Sequence, residues 1–519
     1  MSRCRVGWWL AAAVATASAQ AASDPVTLYA THCASCHGAD RLGGQGPALL
    51  PEAYGRLDVA EAAEVIASGR PATRMPGFRS VLAPEEIASL AAYIFTPPST
   101  PPRFTARDIE ASRRILVADE ALPERPLFDA DPLDLFVLVE AGDHHISILD
   151  GDGFVRLARL ATHRALHGGP KFSSDGRFVW TASRDGWIER FDLWSLAKLG
   201  EVRAGIHTRN IAVSADGRIL AVANWLPRTL VLLDARTLAP LDVRDIRGAG
   251  GEATSRASAV YSAPPRQSFV LALKDVPEIW EIAWADPAPR RFSGFGHSYE
   301  KGMEEVLPPL GRFPVRRIDL ATPLEDFFFD PSYRLLVGAA RDGSRAVVVH
   351  LDLGQPIAEI PLPGMPHLGA GIAFTSRGRR LLAIPHLKEA ALSIVDLETF
   401  AVVERIPTLG PGFFVRSHEN SPHIWVDALL GAQRDAVQVI DKESLEIVAT
   451  LRPLPGKTAG HVEFDREGRH VLLSIQEDEG AVVVIDDRSL AEVARLPARR
   501  PSGKYNVWNK TRLSEGTSH

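Results

Sequence analysis

From about residue 130 onward the chain repeats itself, and the repeat constrains the fold more than any other feature. One half of the unit is a strand that ends in aspartate: Ile148-Leu149-Asp150, Arg190-Phe191-Asp192, Leu232-Leu233-Asp234, His350-Leu351-Asp352, Ile394-Val395-Asp396, Val439-Ile440-Asp441 and Val484-Ile485-Asp486. Successive copies are 42, 42, 118, 44, 45 and 45 residues apart. The other half is an apolar strand, a tight turn and a second strand, centred on Asp175-Gly176-Arg177, Asp216-Gly217-Arg218, Arg377-Gly378-Arg379 and Glu467-Gly468-Arg469. Each turn has glycine where a hairpin needs positive φ. Four strands per 42 to 45 residues is the signature of a propeller blade, and the alternation and hairpin turns speak against a solenoid of that period. The 118-residue gap holds a less regular unit around Pro277 to Phe292, plus an insertion that includes His297 to Leu310. Seven clear units and this degraded one predict eight blades.

The rest of the chain is small and chemically explicit. Three cysteines occur, at 4, 33 and 36, too few for a disulfide framework. Arg3 and Arg5, the apolar run from Val6 and the small residues Ala17, Ala19 and Ala21 read as an export signal over residues 1–22, with a run too short for a membrane anchor. Cleavage leaves two cysteines in the periplasm, where a free neighbouring pair would oxidise unless it is used. Cys33-Ala34-Ser35-Cys36-His37 is a C-x-x-C-H run. That pattern attaches a c-type haem covalently through two thioethers, with the histidine as an iron ligand. A redox dithiol or half of a zinc site are the alternatives; the missing second C-x-x-C and the export signal favour haem c. Met75 is the only methionine between the signal and position 303, which makes it the candidate sixth ligand. Thioether ligation suits electron transfer and leaves no open iron position. Pro84-Glu85-Glu86 opens a helix whose Ile87, Leu90, Ala91 and Ile94 share one face. Residues 23–97 therefore resemble an all-α class I cytochrome c domain, followed by a proline-rich linker over 98–125 and an all-β eight-bladed propeller over 126–519. The two propeller ends, near Ala106 to Val117 and Lys504 to Lys510, are expected to share a closing blade.

A net charge of −6 with no long run of like charge excludes a nucleic-acid footprint and a polybasic membrane anchor. The partner is sought instead at the propeller mouth. Residues six to ten positions before the hairpin turn start the innermost strand, and His167, Arg209, Glu325, His367 and His461 share that phase. Two imidazoles four blades apart, His167 and His367, could hold a flat iron macrocycle whose carboxylates pair with blade arginines. The other propeller histidines fall in other phases and read as surface or structural groups, with His418 intermediate.

These motifs together resemble the cytochrome cd1 family, a c-type haem domain fused to an eight-bladed haem d1 propeller, over nearly the whole mature length. Leu166-His167 resembles the segment carrying the proximal haem d1 ligand. Gly205-Ile206-His207-Thr208-Arg209 is similar to a propionate-binding arginine segment, and Arg256 to Tyr261 resembles a second tetrapyrrole-contacting segment. Met365-Pro366-His367-Leu368-Gly369 resembles a distal histidine motif, and Pro501 to Asn509 the C-terminal signature. Nitrite-reducing members carry two distal histidines, but Thr322-Pro323-Leu324-Glu325-Asp326 puts glutamate in the place of one. Proton delivery to nitrite needs donors near neutrality, and an unperturbed glutamate titrates near 4.3.

The resemblance therefore implies the branch that desaturates a propionate of dihydro-haem d1 to the acrylate of haem d1. It implies His167 as proximal ligand and His367 as distal ligand or gate. His461 is the expected base, with Glu325 orienting it or relaying its proton. Haem c is the electron exit, a small periplasmic c-type cytochrome the acceptor, and a nitrite reductase the recipient of the product. A nitrite reductase and a non-catalytic haem d1 carrier are the alternatives.

Overall fold

A computed structural model describes residues 24–43, 45–54, 57–70, 75–100, 102–289 and 311–518. The expected signal over 1–22 and the insertion around His297 to Leu310 lie outside the described residues.

The N-terminal unit is built from five short helices: Pro25–His32, Ala34–His37, Pro51–Tyr54, Val59–Ser68 and Pro84–Ile94. Their starts are fixed locally. Asp58 accepts from the Glu61 amide at 2.8 Å while Glu61 accepts from the Asp58 amide at 3.2 Å, a reciprocal cap. Glu86 closes the start of the last helix by accepting from the Ala83 amide at 3.0 Å, behind Pro84. Ile87, Leu90, Ala91 and Ile94 are all buried, as their spacing predicts, against Leu28, Tyr29, Ala62 and Ile66.

Eight antiparallel sheets follow among the described residues, each with its earliest strand innermost, apart from the first and second. The eight-bladed expectation holds, and the irregular unit is the fourth blade, Ala257–Ala263 to Val315–Asp319. Strand residues alternate between the two neighbouring blades, which explains why these strands read as nearly unbroken apolar runs. Phe136 and Leu138 pack against the eighth blade with Leu472 and Val482, whereas Val137 and Val139 pack against Phe172 and Val179 of the second.

The repeated aspartate has a physical cause. At the end of the third strand its carboxylate caps the turn into the fourth: Asp234 accepts from Thr237 N at 2.7 Å, Asp441 from Ser444 N at 2.8 Å and Asp486 from Ser489 N at 2.7 Å. The glycine of the other turn is equally constrained. Gly176 has φ +78° and a Cβ there would stand 2.6 Å from Val507 Cγ1.

The chain ends do not share a blade, contrary to expectation. Pro501–Asn506 pairs with Phe136–Glu140 and becomes the innermost strand of the first blade. Arg114–Ile115 instead pairs with Ala197–Arg203 and extends the outer edge of the second. The helix Ala106–Ser112 explains the difference. It buries Ile109 among Trp180, Ile188, Ile211 and Val231, between the second and third blades, so the segment is already committed there.

The helical unit is seated on the propeller's mouth. Ala48 and Leu50 pack on Ile206 and Leu226, at the start of the third blade's inner strand and the end of its second. Among the described residues no helix is long and apolar enough to cross a membrane.

Candidate functional site

Cys33 precedes the short helix Ala34–His37 and Cys36 lies within it, with both thiols partly accessible and unbridged. Burial and the neighbouring Cys36 push the Cys33 thiol up to about 11. His37 is buried, which pulls its imidazole below the usual histidine range. Its Nδ1 lies 2.8 Å from Pro47 O. A carbonyl can only accept, so Nδ1 carries the hydrogen and Nε2 keeps its lone pair, the form of a haem ligand. Gly46 lets the backbone approach the ring, since a Cβ there would stand 2.5 Å from His37 Cε1. Met75 is half-buried, and its carbonyl accepts from Arg70 N at 3.2 Å. Two thiols, an oriented imidazole and a thioether are a donor set that fits a covalently attached haem.

At the propeller mouth, the five residues of shared phase all sit at or just before the start of inner strands, in the second, third, fifth, sixth and eighth blades. His167 Nδ1 lies 2.9 Å from Arg209 O, which by the same logic leaves Nε2 as a free lone pair. His367 Nδ1 lies 2.5 Å from Asp326 Oδ2, and Asp326 also accepts from the amides of Leu368 at 3.3 Å and Gly369 at 3.1 Å. The two imidazoles are thus oriented by outer partners, one by a carbonyl and one by a carboxylate.

Contacts continue around the mouth from His367. Its ring lies 4.7 Å from Phe413, Phe413 lies 4.7 Å from Phe414, Phe414 lies 4.4 Å from His461, and His461 lies 5.1 Å from Tyr505. Tyr505 then packs against Gly169, two residues from His167. On the other side, the Tyr261 hydroxyl sits 3.4 Å from the Cβ position of Gly369, beside His367. Burial pushes Tyr261 up to about 12, so it is a neutral donor.

The mouth is strongly cationic. Arg209 is half-buried and donates from Nε to Ser258 O at 2.8 Å; burial first, with the Arg209 charge adding to it, depresses Lys171, Arg184 and His207 around it. Burial and those arginines hold His207 down at about 3. Arg256 is not free at the mouth. It is buried in a two-point ion pair with Asp275, at 2.9 and 2.7 Å, and lies 5.3 Å above the Trp225 ring. Glu325 pairs with Lys274 at 2.5 Å, and Lys274 also lies over Trp225 at 5.0 Å.

His461 is 1% exposed, behind Phe414 and Tyr505. Its Nε2 has no hydrogen-bond partner, and the Lys504 amide, 3.5 Å from Nδ1, is too distant to fix the tautomer. Burial, then the charges of Lys504 and Arg416, hold its pKa well below the ordinary value, so the ring is neutral at pH 7. An unpartnered buried imidazole nitrogen and two oriented lone pairs, ringed by cations and aromatic faces, fit a flat metal macrocycle with carboxylate arms.

Sequence phase found the five mouth residues but missed Asp326, Lys274, Arg184 and Trp225. A usable signal existed for some contacts. His167 and Arg209 are 42 residues apart, and Asp326 and His367 are 41 apart, one repeat period in each case. Residues one period apart at equal phase are neighbours across blades. One further histidine and carboxylate group, His163 with Glu189 and Glu201, could geometrically hold a metal. Lys198 already pairs with both carboxylates, which makes the group an ion-pair network.

Comparisons with known proteins agree with this division. The Cytochrome D1 heme domain family matches residues 130–297 and 310–510, and the family described as "Cytochrome C oxidase, cbb3-type, subunit III" matches residues 20–94. A dihydro-heme d1 dehydrogenase of Pseudomonas aeruginosa is 50% identical over 97% of each chain. A nitrite reductase of Stutzerimonas stutzeri is 26% identical, over 93% of this chain and 92% of that one. Among solved structures, that of the dihydro-heme d1 dehydrogenase NirN in complex with DHE has a TM-score of 0.79 and 50% identity, covering 94% of this chain and all of that one.

Proposed function

This chain belongs to the Cytochrome D1 heme domain family, and from that premise we infer that it is an oxidoreductase converting dihydro-haem d1 to haem d1. The observation that carries the reading is the combination of near-complete coverage at 50% identity to a dihydro-heme d1 dehydrogenase with a neutral, unpartnered base at the mouth. The reaction turns a –CH2–CH2–COO⁻ arm into –CH=CH–COO⁻ and releases two protons and two electrons.

The chain's residues divide that work. His167 and His367 would hold the substrate iron, the first oriented by Arg209 O and the second by Asp326. Arg209 and its cationic neighbours take the carboxylate arms, because charge-assisted pairs are strongest in a site with little water. Arg256 supports this ring from behind through Asp275. Tyr261 donates a hydrogen bond beside His367. The reacting arm enters between Phe414 and Tyr505, where His461 accepts a proton from carbon. Burial keeps His461 unprotonated and therefore able to accept. Glu325 is held by Lys274, not by His461, so its part is to balance charge at the mouth.

Cys33, Cys36, His37 and Met75 would hold haem c, which would supply a one-electron redox centre. Ala48 and Leu50, which follow His37 in the chain and pack on Ile206 and Leu226, would bring that centre to the mouth. Two electrons leave one at a time, which calls for an external one-electron acceptor such as a small c-type cytochrome. The periplasm, reached through the expected signal, is where denitrification would use the product, in a nitrite reductase that receives it.

A nitrite reductase is the second reading. The lower identity to the reductase and a carboxylate ion-paired where a proton donor would be needed weigh against it. Incubation of the holoprotein with dihydro-haem d1 and an oxidised cytochrome c, followed by extraction and mass measurement, tests the proposal. A tetrapyrrole lighter by two hydrogens is expected. An unchanged mass would leave a carrier, and repeated turnover of nitrite to nitric oxide by the d1-loaded protein would establish the reductase.

A further inference from the structure

The propeller is closed by an unusual seam between its eighth and first blades. Near the axis it is polar and buried. On the eighth blade's inner strand, Ala459–Phe464, the side chains of Val462 and Phe464 enter the apolar core. His461 and Glu463 both face the C-terminal segment: the His461 ring lies against Tyr505 of the closing strand Pro501–Asn506, and Glu463 faces Lys510 just beyond it. A bulge between Gly460 and Glu463, with His461 at φ +52°, aims the histidine at the mouth while the strand carries Glu463 deeper.

Glu463 is fully buried, yet its carboxylate meets no donor at ordinary hydrogen-bond distance and is held only by longer ion pairs. Buried carboxylates are ordinarily saturated with donors, because an unsatisfied one is costly. Its surroundings are charged on every side. Lys510, on the C-terminal helix Val507–Arg512, stands 3.5 Å away and Arg416, from the seventh blade, 3.8 Å away. Lys504 and Tyr505 line it from the closing strand, Asp427 faces Lys504, and His418 lies on the seventh-blade side. Lys504 donates from Nζ to the His461 carbonyl and to Ser474 Oγ at 3.0 Å. Lys510 donates to Ser518 O at 2.9 Å, at the partly exposed end of the seam.

We propose that Glu463 relays the proton removed by His461, passing it along the closing seam toward Lys510 and solvent. The proposal rests on the desaturase reading. Per turnover the substrate arm breaks two C–H bonds and gains one C=C bond. The two electrons leave through haem c to an oxidised one-electron cytochrome. The two protons leave in turn by way of His461 and Glu463. Burial has brought Lys504 down to about 7 and Lys510 to about 8, so the groups flanking Glu463 can exchange protons near neutrality. The seam runs from the mouth toward the opposite rim, where the inner strand ends at the Asp465 to Gly468 turn. The helical domain sits on the mouth. On this reading protons and electrons leave in opposite directions.

The test uses full-length holoprotein carrying Glu463→Gln, Glu463→Asp or Lys510→Met, mixed anaerobically with dihydro-haem d1 in H2O and in D2O. For Glu463→Gln, haem c reduction is expected to slow about tenfold to a hundredfold, the range of a lost proton-transfer group. Substrate affinity should stay unchanged and the variant should remain folded. Its pH profile should lose the limb seen in the parent, Glu463→Asp should recover part of the rate, and Lys510→Met should shift the profile. The solvent isotope effect should rise in the slowed variants. Parent-like rates and pH profile in Glu463→Gln would overturn the relay. So would a loss confined to affinity or melting temperature, which would mean a structural group. If the parent itself failed to reduce haem c, the desaturase reading would fall instead.

Discussion

At the scale of single residues, burial sets the chemistry. His461 is neutral because water is excluded and cations surround it, so its removal should be felt in the reaction and not in binding. His461→Ala is expected to slow desaturation by about 10²- to 10⁴-fold, the usual range for a general base, while a spectral titration shows dihydro-haem d1 still bound. Loss of binding would make it a ligand or a structural group. Asp427 behaves oppositely. Burial lifts its carboxyl to about 6, although it accepts from the amides of Phe413 at 2.8 Å and His461 at 3.4 Å. A raised carboxyl pKa means the folded state binds the proton more tightly. Its stabilising contribution is complete below the ordinary pKa near 3.9 and is lost as pH rises through about 6. Asp427→Asn should therefore flatten the fall in melting temperature between about pH 4 and 7 that the parent shows, and parallel profiles would contradict the assignment.

At the scale of elements, the repeat was legible because its residues have local jobs. The aspartates cap turns within three residues of themselves, and the glycines occupy positive φ, so both can be seen without the fold. The phase of His167, Arg209, Glu325, His367 and His461 was legible for the same reason, since a strand's start is a local property. Their partners were not. Lys274 and Glu325 are 51 residues apart, and Lys504 and His461 are 43 apart on strands joined only when the ring closes. Ring closure was itself misjudged, because nothing local in Arg114 or Ile115 says which blade edge is vacant. The closing strand carries a clear expectation. Truncation after residue 500 removes the first blade's innermost strand, together with Lys504 and Tyr505. The shortened protein should lose its cooperative thermal unfolding, measured by circular dichroism. A truncated form that melts like the parent would mean that Pro501–Asn506 is not what closes the ring.

At the scale of the whole molecule, two redox units meet at one place. The segment that positions His37 through Pro47 continues directly into Ala48 and Leu50, the residues seated on Ile206 and Leu226. Those in turn adjoin His207 and Trp225, whose rings lie 5.3 Å apart and border the cationic mouth. Sequence could announce a haem motif and a propeller separately, but not this seat, which is made of four apolar residues with no motif among them. The seat explains why a one-electron centre is fused to a propeller whose reaction releases two electrons. An anaerobic titration of the oxidised holoprotein with dihydro-haem d1, without any external acceptor, tests this most directly. The number of haem c centres reduced should be counted against the number of acrylates formed. The expected ratio is two reduced haem c for each haem d1, and a tetrapyrrole that binds, or even changes, while haem c stays oxidised would contradict the account.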